Sequence, residues 1–74
     1  MPTDTNTATA VEIQAELRAL YLERALAEIE GLAGEASYMA DLLDEIESHE
    51  GAFVGAVVTE IATLRADLGK PLQG

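Results

Sequence analysis

Residues 28–50 read EIEGLAGEASYMADLLDEIESHE, and the rest of the chain has to accommodate them. The stretch holds Glu28, Glu30, Glu35, Asp41, Asp44, Glu45, Glu47 and Glu50, while no lysine or arginine lies between Arg24 and Arg65. It also holds Gly31 and Gly34. Glycine takes the left-handed conformation that ends a helix without the clash a side chain would suffer, so the chain is expected to reverse here. The reversal and the densest negative charge then share one end of the molecule.

Upstream, residues 10–32 are strong helix formers with no proline or glycine before Gly31. Thr7 or Thr9 is placed to cap them, because a hydroxyl there accepts a hydrogen bond from an unsatisfied amide of the first turn. Wrapped at about 100° per residue, Ile13, Leu17, Leu20 and Tyr21 share one side. Val11, Ala15, Leu22, Leu26, Ile29 and Ala33 share nearly the opposite side, with Glu12, Glu16, Glu23 and Glu30 between. A helix with two apolar faces cannot bury both against one neighbour. It is either the middle element of a bundle or part of an oligomer, and Val11, Ala15, Leu22, Leu26 and Ile29 are the expected homodimer interface.

Downstream, Ala36, Met39, Ala40, Leu43 and Ile46 form an apolar face with Asp41, Asp44, Glu45 and Ser48 opposite. Were that helix to continue unbroken, Glu47 and Glu50 would land on the apolar face. With Gly51 following, the conflict predicts a break over residues 48–51. One long second helix with a drifting seam is the competing arrangement. Residues 52–68 carry the cleanest pattern, in which Val54, Val57, Ile61, Leu64 and Leu68 step by three and four alternately and Phe53 and Val58 flank them. Gly55 and Ala62 lie to one side, and Gly69 with Pro71 ends the helix.

The expected architecture is all-α, a helical hairpin or small three-helix bundle completed as a homodimer. Its helices lie near 10–32, 35–48 and 52–68 and cross at about 20° in a single domain over 10–69. A disordered tail is expected over 1–9 and a loose one over 70–74. A chain of 74 residues buries only about 60% of the surface its unfolded form exposes, so help from a second copy or a partner is expected.

Fourteen acids against four bases give a net charge of −10. That balance argues against direct nucleic-acid binding, which lysine and arginine dominate, and against adsorption to anionic lipid. It favours a protein partner with a basic surface. There is no cysteine, hence no disulfide framework or thiolate chemistry. Residues 1–9 have neither the basic start nor the apolar run of a signal peptide, and the longest apolar run, 52–58, is too short to cross a bilayer. The expected location is the cytoplasm.

His49, the single histidine, has Glu45 four residues before it on one helical face. One histidine and one carboxylate make an incomplete metal shell, and a carboxylate-bridged bundle centre wants glutamate where Ile46 stands. Ser48 has no base beyond its neighbour His49, and adjacent helical residues point apart. No phosphate loop or nucleophile elbow is present. The expectation is therefore no catalytic residue, no metal, no cofactor and no enzyme. Tyr21 and Tyr38 are candidate anchors, with Tyr21 read as a partly buried core residue whose hydroxyl reaches the surface.

The partner-binding surface is read as Glu28, Glu30, Glu35, Tyr38, Asp41, Asp44 and Glu45. Carboxylates spread over a helical surface imitate nucleic-acid phosphates and fit a basic groove. The expected function is a non-enzymatic inhibitor or modulator that occupies a basic, nucleic-acid-binding surface of a partner. Small acidic inhibitors of phages and mobile elements, including anti-CRISPR and anti-restriction proteins, are similar in size and charge. The alternative is a structural or accessory subunit that docks its apolar helix faces on a larger assembly.

Overall fold

A computed structural model describes residues 8–69 and shows two helices, α1 (Ala10–Ile29) and α2 (Ala36–Leu68), folded back on each other through a single 3₁₀ turn (Leu32–Gly34). Of the two all-α arrangements read from the sequence, this is the hairpin. Of the tails expected over 1–9 and 70–74, residues 1–7 and 70–74 lie outside the described residues, while Thr9 is held in place as the cap of α1.

Thr9 caps α1. Its hydroxyl accepts the Glu12 amide at 3.2 Å while the Glu12 carboxylate accepts the Thr9 amide at 2.9 Å, a reciprocal pair that satisfies two otherwise orphaned donors. A third donor, the Ala10 amide, is met from across the hairpin by Glu60 at 2.8 Å. Helix α1 stops at Ile29, short of residue 32, because Gly31 takes φ 84°, a conformation that clashes for side-chain-bearing residues.

The helices meet along one seam. From α1 it takes Ala10, Ile13, Leu17, Leu20 and Ala27; from α2 it takes Met39, Leu42, Ile46, His49, Phe53 and Ala56, stepping three and four alternately. Leu17, Leu42 and Ile46 form its centre, with Leu20, Tyr38, Met39 and Phe53 packed around them. Buried side chains number six among the described residues, all aliphatic.

Helix α2 departs from expectation in two ways. The inward face of α2 runs through Leu42, 3% exposed, and not Leu43, 43% exposed. The expected break over 48–51 is absent, and α2 runs unbroken through Gly51. Both follow from the same cause. A seam through Leu42, Ile46, His49 and Phe53 places only a histidine at the interface, whereas a seam through Leu43 would have driven Glu47 and Glu50 into it. With the seam so rotated, Glu50 sits at the edge and accepts the Tyr21 hydroxyl at 2.6 Å. Nothing remains to force a kink.

Gly51 then sits in a helix interior with open space where a Cβ would go. Gly51→Ala should raise stability by about 0.5–1 kcal/mol, read as a higher thermal midpoint by circular dichroism; a lower midpoint would argue that the helix breaks there. Leu42→Ala should cost about 2–5 kcal/mol and unfold much of the population.

Candidate functional site

No described acidic side chain is buried. Glu30 follows the last residue of α1 and Glu35 precedes the first of α2, so both sit at the turn, and Glu28 lies 3.7 Å from Arg24 one helical turn earlier. That pair is exposed on both sides and contributes little. Asp41, Asp44 and Glu45 are exposed on α2, and at about 100° per residue they point away from the seam or to its flank. The carboxylates expected to bind a partner thus fall into two groups, one at the turn and one along the outer side of α2.

Tyr38 belongs with the turn group. It is half-buried against the core, and its hydroxyl donates to Glu23 of α1 at 2.7 Å. Together with Leu22, Glu23, Leu26, Glu30 and Leu32 it lines a shallow groove of about 270 Å³. Its floor is aliphatic and aromatic and its rim is acidic. Leu22 and Leu26, expected in a dimer interface, therefore share a surface with Glu30 and Tyr38, expected to meet a partner. Val11, Ala15 and Ile29 are exposed along the same outer side of α1.

Tyr21 lies on the other flank, more exposed than a core residue, with its hydroxyl on Glu50. In both tyrosines the carboxylate acceptor holds the phenol proton and raises the pKa above the ordinary tyrosine range; partial desolvation and the nearby negative charge act in the same direction.

His49 occupies a seam position and reaches across the hairpin. Its Nε2 is 3.2 Å from the Glu16 carboxylate of α1, and its Nδ1 is 2.9 Å from the Glu45 backbone carbonyl. The carboxylate that meets the ring is Glu16, not the Glu45 side chain. Both partners are acceptors, so the ring makes both bonds as donor only when it carries two protons. Ser48 lines the same open cleft as Glu16 and His49. Among the described residues, no three histidine, cysteine or acidic side chains converge to hold a metal ion.

Glu60, the carboxylate on the first amide of α1, escaped the sequence reading. No local pattern announces a contact between residues fifty positions apart. The Glu16 contact had a faint signal: His49 falls in register with Leu42, Ile46 and Phe53, the spacing that turns it toward α1.

No family model matches the chain, and no characterised protein or solved structure matches it. No helix among the described residues is long and apolar enough to cross a membrane.

The tyrosines give a direct test. Since their folded pKa values are raised, the stabilisation from the two phenol–carboxylate bonds is complete below the unfolded tyrosine pKa and is lost as pH rises through the folded values. Ultraviolet titration of the native chain should therefore show both phenols ionising above free tyrosine, and Glu50→Gln should bring one of them back down.

Proposed function

We propose that this chain is a non-enzymatic, homodimeric binding protein whose acidic surface occupies a basic site on a partner protein, of the kind that otherwise holds nucleic-acid phosphates. Inhibitors of the anti-CRISPR and anti-restriction type act within this class. The observation that carries the reading is that residues 28–50 present eight carboxylates, none of them buried. Among the described residues, Glu28 alone of these has an arginine in ion-pair contact. Unneutralised and outward, the array keeps its charge for a partner's lysines and arginines, speeding encounter and excluding acidic competitors.

The groove at the turn adds apolar anchorage. Leu22, Leu26, Leu32 and Tyr38 give a partner side chain something to bury against, while Glu23 and Glu30 at the rim select a cationic neighbour. A surface of this kind fits a basic segment with interspersed aliphatic residues. The exposed outer side of α1 also favours a second reading, an accessory subunit held mainly by its apolar face, in which the carboxylates only keep the surface solvated.

The two readings part under mutation. Reversing Asp41, Asp44 and Glu45 to lysine should weaken binding to a basic nucleic-acid-binding protein by more than about tenfold at low salt. The parental complex should loosen as ionic strength rises through about 0.15 M and should compete with DNA or RNA. Binding indifferent to those reversals but lost with Leu22→Asp or Leu26→Asp would favour the accessory-subunit reading.

A further inference from the structure

Among the described residues, α2 runs on alone beyond residue 60. The Ala10 amide on the Glu60 carboxylate fixes the start of α1 beside Glu60, so residues 61–68 project past it by about 12 Å of helix. This half of α2 carries the most regular heptad in the chain: Val54, Val57, Ile61, Leu64 and Leu68. Yet Val54 is 60% exposed, Ile61 50%, Leu64 55% and Leu68 77%. Within one chain this seam is left largely in water, and its hydrophobic contribution is unrealised.

We propose that a second copy of the chain packs here, the C-terminal halves of the two α2 helices forming a short parallel coiled coil. Three features of the sequence and structure select that occupant and that orientation. The first is the seam itself. With Ile61 at an a position, Val54 and Leu68 are also a, while Val57 and Leu64 are d. β-Branched residues at a with leucine at d suit two parallel strands, and the central layers Ile61 and Leu64 have that form.

The second feature is charge register. In the same frame Glu60 is a g residue and Arg65 the e residue five positions on. In a parallel pair g faces the following e of the other helix, so Glu60 meets Arg65 of the second copy, and the twofold axis supplies the contact again. An antiparallel pair would instead oppose Glu60 to Asp67 of the second copy, acid against acid. A carboxylate has lone pairs enough to serve both the Ala10 amide and an arginine.

The third is where two highly acidic chains can approach. Residues 51–69 contain only Glu60, Arg65 and Asp67 as charges, against eight acids and no lysine or arginine over 28–50. Self-repulsion is least at the projecting half of α2. The outer side of α1, by contrast, is flanked by Glu12, Glu16, Glu23 and Glu30 and is better kept for a basic partner. Residues 1–7 (MPTDTNT) and 70–74 (KPLQG) offer too little apolar surface to cover an aliphatic seam.

Sedimentation equilibrium of the full chain at micromolar concentration tests this. The expected result is a species of twice 7.8 kDa. Ile61→Glu should raise the dimer Kd by about 100-fold and Arg65→Glu by about tenfold, with helical circular dichroism retained because both sites are exposed. A single cysteine introduced as Leu68→Cys should cross-link the dimer to itself under oxidation, because like residues meet in a parallel pair. A monomer at all concentrations, or a dimer lost with Leu22→Glu and indifferent to Ile61→Glu, overturns the interface. Dissociation by Ile61→Glu without cross-linking through residue 68 overturns the parallel arrangement. None of these outcomes depends on Asp41, Asp44 and Glu45, so dimer contact and partner binding fail independently.

Discussion

One line of aliphatic side chains per helix holds this hairpin closed, and the direction in which every other side chain points depends on it. Leu17 against Leu42 and Ile46 is the centre of that line. Rotating α2 by a single position would turn Leu43 inward and Leu42 out, bring Glu47 and Glu50 toward α1, and swing the outer acids around the molecule. Packing of so few residues is decisive because it is the one buried cluster among the described residues. The two polar contacts that cross the hairpin at α1's N-terminal half, Glu60 to the Ala10 amide and Glu16 to His49, lie at the ends and edge of the same line and pin its register.

Helix content, the reversal near Gly31 and the two-sided character of α1 were legible in the residues, because helix propensity, glycine and aliphatic spacing are local. The apolar set Ile13 and Leu17 is buried and the set Val11, Leu22, Leu26 and Ile29 is exposed, as a helix with two apolar faces and one neighbour requires. The inward face of α2 was not legible. Two adjacent leucines, Leu42 and Leu43, fit different faces, and choosing between them needs α1 in place. The same ambiguity made Glu47, Glu50 and Gly51 look like a break. A helix already supported on both sides carries one glycine at a cost of about 1 kcal/mol, too little to interrupt it. Of the expected binding surface, the exposure of its carboxylates followed from the spacing. The meeting of Tyr38 with Leu22 and Leu26 did not, since it depends on how the turn brings the helices together.

Charge and grease are distributed unequally along α2. Its first half carries the acids; its second half carries few charges, packs on α1 through Phe53 and Glu60 and then continues past the start of α1. On the proposed reading, a single helix presents one surface to a cationic protein and another to a second copy, separated along its length so that occupying one need not displace the other.

The scarcity of cations in the folded chain has a bearing on the medium it tolerates. The exposed Arg24–Glu28 pair is an attraction that electrolyte weakens, while the excess of fourteen acids over four bases leaves the chain repelling itself. Dissolved ions shield that repulsion over a distance of about 10 Å at 0.1 M. Brine should therefore tighten this hairpin and ease the approach of a second copy, while on the proposed reading it loosens the grip on a basic partner, so that concentrating the surroundings makes the molecule sturdier and changes the company it keeps.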